Sequence, residues 1–271
     1  MHLDRTQIAI RPRSYVDILD LSLCVARAFG RPLLLAWAVG AVPAILLNGI
    51  LLWGLVDPSG EGDWPILYMF WMAFLVVWEM PVATAFITLY LGEATFGNRP
   101  GAGQLIAGFW RALPQLFWYQ VALRALLTLP WLSWPVLYAG WPYLSEVVLL
   151  ERNPMTSRRK DGTTTWRRSA ALHRAMTGEL FGRWFLACCI GGLLIASLWL
   201  SVWFFRWHLF NLPEWSAVMF TVFLPVIVWL VVGFFAVVRF LSYLDLRIRR
   251  EGWDIELMLR AEGNRISERL E

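Results

Sequence analysis

The sequence predicts an all-α fold: a polytopic transmembrane helical bundle of about six spans, with a short central helical hairpin and amphipathic interfacial helices. Three observations predict it. Apolar residues make up 58% of the 271 and charged residues only 16%, where a soluble domain carries about 45–50% and about 25%. Tryptophan occurs 18 times, and its ring favours the membrane–water boundary, where it is buried while its N–H stays wet. Lysine and arginine, finally, are segregated along the chain in a way that orients the spans.

Mean hydropathy is +0.54, and the apolar residues gather in runs long enough to cross a bilayer, which takes about 20 residues. The candidate spans are 32–56, 65–91, 115–129, 135–150, 184–205 and 217–244. The first opens on Pro32, a residue suited to a helix start. An acidic turn (Asp57, Glu61, Asp63) leads to the second, in which Pro81 predicts a kink. Residues 92–114 contain Gly97, Asn98, Pro100, Gly101 and Gly103 and are read as a polar loop. Residues 115–150 are too long for one span and short for two. Pro130, Ser133 and Pro135 sit midway as a turn, so the segment is read as two short helices in a tight hairpin.

Charge sets the orientation. Residues 1–31 hold five Lys or Arg, the 92–114 segment two, the 151–183 loop eight and the 245–271 tail six. Arg239 lies near the inner end of the last span, which leaves only Arg124 within the third and Arg206 on the opposite side. The positive-inside rule places both termini and the two basic loops in the cytoplasm, in a multi-pass protein of the inner membrane. Residues 115–150 must then cross an even number of times, which supports the hairpin. Trp199, Trp203 and Trp207 recur on one face at the predicted outer end of the fifth span, level with Trp53, Trp64 and Trp215. Trp184 and Trp253 mark the inner boundary. The first thirty residues lack the apolar region of a signal peptide, so the first span is expected to direct insertion.

Two segments outside the spans read as amphipathic. In 1–31, Tyr15, Ile18, Leu19, Ser22, Ala26 and Phe29 form one face and Asp17, Asp20, Cys24, Arg27 and Arg31 the other. From Thr164 to Gly182, Trp166, Leu172, Met176 and Leu180 alternate with Arg167, Arg168, His173 and Arg174. Each is expected to dock on the inner leaflet or on the bundle.

Three stretches carry a family resemblance. Near its start the chain reads Arg13-Ser-Tyr-Val-Asp-Ile-Leu-Asp-Leu-Ser. Its middle reads Val147-Val-Leu-Leu-Glu151, followed by a basic loop and Arg168-Ser169. It closes on Tyr243-Leu-Asp-Leu-Arg-Ile-Arg-Arg-Glu-Gly-Trp-Asp-Ile-Glu-Leu. The layout resembles bacterial multi-span proteins related to the membrane domain of glycerophosphoryl diester phosphodiesterases, the final run being the most specific part. The resemblance implies a helical membrane fold. It implies no catalytic residue, because the catalytic barrel of those enzymes is a separate soluble domain. Stand-alone relatives resemble accessory membrane proteins, sometimes encoded near transglutaminase-like or ATPase partners.

Enzyme signatures are missing from the sequence. There is no Gly-x-Ser-x-Gly elbow, His-Glu-x-x-His, phosphate-binding Gly-x-x-x-x-Gly-Lys-Ser/Thr or Cys-x-x-Cys. His2, His173 and His208 lie outside the spans' centres, and Cys24, Cys188 and Cys189 lack metal spacing. No cofactor or metal is expected. Lys160-Asp161-Gly162-Thr163 only faintly resembles a pump phosphorylation motif and is read as a loop.

Ionisable residues at membrane depth carry more information. Glu79 sits near the centre of the second span and Arg124 within the third. An unpaired charge there costs several kcal/mol, so mutual pairing is the economical solution. The pair serves either as a structural clamp or as part of a substrate, ion or proton pathway. Glu146 and Glu151 are read as boundary carboxylates neutralised by Arg152 or the inner arginines, and Asn48 as a helix-to-helix hydrogen bonder. The small-residue stripes Ala36/Gly40/Ala44 and Cys188/Gly192/Ala196 suit close packing within the chain or homodimerisation. The basic cluster Arg158, Arg159, Lys160, Arg167, Arg168, Arg247, Arg249 and Arg250 is a candidate surface for anionic lipid or a protein partner. Nothing accompanies it that reads nucleic acid.

Two functions compete. The first is a non-enzymatic accessory or scaffold protein that receives a partner on its cytoplasmic face. The second is a transporter or channel subunit with a pathway near Glu79 and Arg124. An intramembrane enzyme acting on lipid has too few nucleophile–base pairs to compete.

Overall fold

The computed structural model describes residues 14–57, 63–95, 97, 100–122, 141–156, 163–173, 177–212 and 215–251. Among these the protein is helical throughout, with no strand. It has four helical stretches long and apolar enough to cross a membrane: Gly30–Leu55, Trp64–Ala94, Gly178–Phe210 and Met219–Arg250. The fold is that of a helical membrane protein.

Helix α1 (Tyr15–Ala28) starts at a capping box. The Ser14 hydroxyl accepts the Asp17 N–H at 3.2 Å, and the Ser14 N–H reaches the Asp17 carboxylate at 3.1 Å. Of the two docking modes expected for this helix, the structure has the bundle: Ile18 and Val25 pack on Val237, Phe240 and Leu241 of the last helix. The polar face with Asp17, Asp20, Cys24 and Arg27 stays exposed, which is the division the side-chain spacing predicts.

Helix α2 (Gly30–Leu52) ends in a 3-10 turn, Trp53–Leu55. The second span is two helices, α3 (Trp64–Ala83) and α4 (Ala85–Ala94), broken next to Pro81. Proline donates no backbone N–H, so the ladder loosens there. Thr84 restores the joint by donating both its N–H (3.0 Å) and its hydroxyl (2.7 Å) to the Met80 carbonyl. Gly40 lets α2 cross this joint closely, since a Cβ at that position would lie 1.8 Å from the Ala83 carbonyl oxygen. The Ala36/Gly40/Ala44 stripe thus packs within the chain.

Residues 102–114, expected as part of a polar loop, instead belong to helix α5 (Ala102–Leu116), which runs on as a π-helical turn, Phe117–Ala122. Gly108, Ala112 and Leu116 recur every four residues on its buried side, while Ile106 and Trp110 face outward. The amphipathic period thus prevails over Gly101 and Gly103 at the helix start, and Gly108 is accommodated mid-helix on the buried side. Helix α6 (Leu144–Glu146) continues as a second π-turn, Val147–Glu151. The tip of the expected hairpin, residues 123–140, and Arg124 with it, lies outside the described residues. Among the described residues, the flanking pieces 115–122 and 144–151 belong to no helix both long and apolar enough to span a membrane.

Helix α7 (Thr165–His173) precedes α8 (Thr177–Phe210), and a π-turn, Met219–Phe223, opens the final helix α9 (Leu224–Glu251). At about 1.5 Å per residue α8 is about 50 Å long, more than the about 30 Å of a hydrocarbon core, so its ends project into the boundary regions. Trp199 and Trp203 of α8 meet Trp215 at 4.9 and 5.6 Å, and Trp64 joins them through Phe220. Of the tryptophans that the sequence sets at one level, Trp53 stays exposed, and Trp64, Trp199, Trp203, Trp207 and Trp215 form a single cluster at one end of the bundle. Arginines crowd the other.

Candidate functional site

The arginine-rich end is built on the last three turns of α9, where Arg239, Tyr243, Asp245, Arg247, Arg249 and Arg250 project to different neighbours. Deepest is Arg239. Its Nε donates to the Glu146 carboxylate at 2.5 Å and its Nη2 to the Thr84 hydroxyl at 3.0 Å. Glu146 has no exposed surface, and its other oxygen accepts the Ser145 hydroxyl at 3.1 Å. The boundary role expected for Glu146 is thus corrected. Leu144, Val147 and Val148 surround it in the core, and only a guanidinium held at its side makes a carboxylate tolerable there.

One turn further out, Glu151 collects the Tyr243 hydroxyl at 2.8 Å, Arg168 Nε at 2.7 Å and the Asn153 amide at 3.1 Å, with Arg247 at 3.8 Å. Beside it, Arg183 of α8 bridges Asp245 (3.0 Å) and Glu179 (2.7 Å), and Arg249 reaches the same two carboxylates at 3.1 and 3.2 Å. Arg250 donates to the Ala171 carbonyl at 3.0 Å. The final sequence run therefore works as a clasp that ties α6, α7 and α8 to α9.

The expected basic surface is mostly neutralised in the folded protein. Arg168, Arg247 and Arg249 face carboxylates and Arg250 a carbonyl, so they do not form an open cationic patch. Arg167 is exposed. Arg158, Arg159 and Lys160 lie outside the described residues.

Two arginines beside this end have no carboxylate partner among the described residues: Arg111 of α5, which sequence reasoning missed, and Arg152 after the second π-turn, which was expected to neutralise Glu146 or Glu151. Both are exposed. Arg152 has a left-handed backbone, φ 51° and ψ 33°, which few non-glycine residues adopt. Its guanidinium extends over Gly108, 4.0 Å from where a Cβ there would stand and one helical turn from Arg111. With half-buried Arg247 they rim an open cleft of about 680 Å³, together with Glu93, Gln104 and the aliphatic Leu89 and Leu149.

Glu79, the other expected site residue, lies half-buried on α3 with Asn48 of α2 as its polar neighbour. Neither amide atom of Asn48 nor Oε2 of Glu79 has a hydrogen-bond partner. The structure supplies a deep ion pair elsewhere, in Glu146 and Arg239. That pair carried a signal in the sequence, opposite charges each embedded in an apolar run, but nothing there joined positions 93 residues apart.

His173 and Ser169 make a serine–histidine contact of 3.2 Å. Both are buried, Nδ1 also meets the Ser169 carbonyl at 2.7 Å, and Nε2 accepts the Tyr143 N–H at 3.4 Å. With both ring nitrogens engaged and no access to solvent, the pair braces α7 and has no route to attack a substrate. Burial holds the His173 imidazole below its ordinary pKa. Among the described residues no cluster of His, Cys, Asp or Glu is placed to hold a metal ion. No family model, curated protein or solved structure matches the chain.

Proposed function

We propose that this protein is a non-enzymatic accessory or scaffold protein of the inner membrane. In this reading both termini face the cytoplasm, and the arginine-rich end receives an acidic segment of a protein partner. One observation carries it. Where Arg168, Arg183, Arg239, Arg247, Arg249 and Arg250 are consumed internally, Arg111 and Arg152 line one open cleft with no carboxylate partner among the described residues. Two like charges held near each other without a counter-ion repel, and a carboxylate between them relieves the repulsion. Guanidinium groups suit that task because they grip carboxylates with two parallel hydrogen bonds. Glu93 and Gln104 beside them favour a peptide, which offers donors as well as acids, over a bare anion. The asymmetry of lysine and arginine supports the orientation. The likeness to the phosphodiesterase membrane-domain family agrees with an accessory role, since its most specific residues, Tyr243 to Arg250, serve as a structural clasp.

The test is a pull-down from native membranes in nanodiscs, comparing wild type with R111E/R152E. A stoichiometric partner that is lost on charge reversal is the expected result. A protein that purifies alone, or a partner indifferent to the reversal, overturns the reading. Anionic lipid in place of a partner, depleted in the variant, would reassign the cleft to a headgroup.

The alternative, a transporter or channel subunit with a pathway near Glu79 and Arg124, is favoured by one feature: Glu79 and Asn48 are polar neighbours inside the bundle, and Glu79 has no ion-pair partner among the described residues. Flux through reconstituted protein that E79Q abolishes would select it. Flux unchanged by E79Q would remove it.

A further inference from the structure

A second cleft, distinct from the arginine-rimmed one, lies between α3, α8 and α9. We propose that it holds the acyl chain of a membrane lipid, with a neutral oxygen of the lipid's head, an ester or hydroxyl, hydrogen-bonded to Gln120. The cleft encloses about 490 Å³, within the roughly 300–1,000 Å³ of small-molecule sites. Its walls are apolar over most of their length, with Met72, Val76, Ile195 and Val228 toward mid-membrane. Polar groups line one end only: Gln120, Ser145, Arg183, Arg239 and Ser242. That gradient runs in the direction of a lipid in the leaflet on the arginine-rich side.

The way in is lateral. Only 6% of the apolar stretch of α8 is buried. The helix packs chiefly along α9 and leaves a seam toward α3. Cys188 and Gly192, two of the small residues of its stripe, border that seam, and a Cβ at Gly192 would meet nothing within 4 Å. The seam opens to hydrocarbon, which supplies chains rather than water.

Gln120 decides what the chain carries. Its side chain is 1% exposed, yet neither its amide nitrogen nor its oxygen has a hydrogen-bond partner. Buried polar groups are mostly partnered, and one that is not calls for an explanation. Of the side chains with unpartnered buried polar atoms only Gln120 and Ser242 line this cleft, and Gln120 leaves both ends of an amide unfilled there. The amide offers donors and an acceptor, matching an ester or a hydroxyl. The two arginines at this end do not call for an anion, because Glu146 neutralises Arg239 and Asp245 neutralises Arg183. A glycerolipid's ester region and a single-chain neutral amphiphile such as a monoacylglycerol share this chemistry.

The experiment reconstitutes the full chain into phosphatidylcholine nanodiscs doped with a phosphatidylcholine bearing a diazirine on its acyl chain, and maps the crosslinks. Native mass spectrometry of detergent-purified protein then identifies any lipid retained from the membrane. Crosslinks concentrated on Met72, Val76 and Ile195, several-fold above exposed Leu35 and Ile50 of α2, are expected, with one lipid mass retained. G192L, which fills the open space without a clash, should reduce both signals about tenfold while leaving the protein monodisperse. Q120L should reduce retention several-fold and leave folding intact, because it removes an unpartnered polar group. Retention of a phospholipid mass assigns the head to the ester region, and of a lighter neutral mass to the single-chain amphiphile. Crosslinks spread evenly over α2, α3 and α8, with no retained lipid, overturn the proposal. So does retention unaffected by both variants.

Discussion

The pair formed by Glu146 and Arg239 gives the sharpest test of how the arginine-rich end is held together. Replacing Glu146 with leucine leaves a guanidinium 15% exposed with its main counter-ion gone. Removing one partner of a buried ion pair costs about 3–5 kcal/mol, most of it the penalty of the charge left behind. The Thr84 hydroxyl at 3.0 Å remains as a neutral acceptor and offsets part of that loss, so about 3 kcal/mol is the working figure. At about 2–4 °C per kcal/mol for a chain of this size, E146L should melt roughly 6–12 °C below wild type. Replacing both charges, as E146L/R239M, exchanges the pair for apolar volume, a change that is often neutral or stabilising. The double variant should return to within about 3 °C of wild type. The assay is thermal unfolding in a single detergent, followed by size-exclusion fluorescence, with T84V completing the set. If E146L melts within a degree or two of wild type, or if adding R239M gives no recovery, the pair does not hold α6 against α9 as described.

Other consequences are as direct. A Cβ at Gly40 would stand 1.8 Å from the Ala83 carbonyl oxygen, so G40A must push α2 off the α3–α4 joint. It should lose about 3 kcal/mol by overpacking, whereas G49A on the same helix, with open space around it, should be neutral or slightly stabilising in the same melt. Trp37 donates its indole N–H to the Trp229 carbonyl at 2.8 Å; W37F should lower stability by about 1 kcal/mol or more, read as a lower melting temperature. Burial depresses the folded pKa of His173 below the ordinary 6.5, so on acidification the unfolded chain takes up the proton first. Its contribution is therefore complete above pH 6.5 and lost as pH falls below it, and melts at pH 8 and 5.5 should show a larger drop for wild type than for H173N.

The spans were legible because they are one-dimensional signals. Runs of apolar residues predict 32–56, 65–91, 184–205 and 217–244, and the structure has Gly30–Leu55, Trp64–Ala94, Gly178–Phe210 and Met219–Arg250. The ends differ where polar residues are carried on a continuing helix. Glu179 and Arg183 extend α8 inward as a mutual i,i+4 pair, and the charged turns after Leu244 extend α9 because each has a partner. Helix α5 was hidden by Gly97, Pro100, Gly101 and Gly103. Those residues do break the chain, but only up to the helix start, where the Gly101 N–H is met by the Gln104 side chain at 3.3 Å.

The polar sites were less legible, for a different reason. Whether an arginine is free or spent depends on which carboxylate folds against it, and Arg239 with Glu146, Arg183 with Asp245 and Arg168 with Glu151 are all joined across distant stretches. Reading the chain alone, charge density made Arg247, Arg249 and Arg250 the prominent surface. In the folded protein the density there is matched by acid, while Arg111, which attracts no notice in the sequence, and Arg152, expected to neutralise Glu146 or Glu151, reach an open cleft unmatched. The same subtraction singles out Gln120, an ordinary residue between aromatics until its surroundings leave both ends of its amide without a partner. Unpartnered buried polar atoms occur on several other side chains of the bundle, among them Tyr68, Thr88 and Trp229, but these line neither open cleft. Where unfilled hydrogen-bonding capacity remains next to an open cleft it marks the places at which something outside the chain completes the structure.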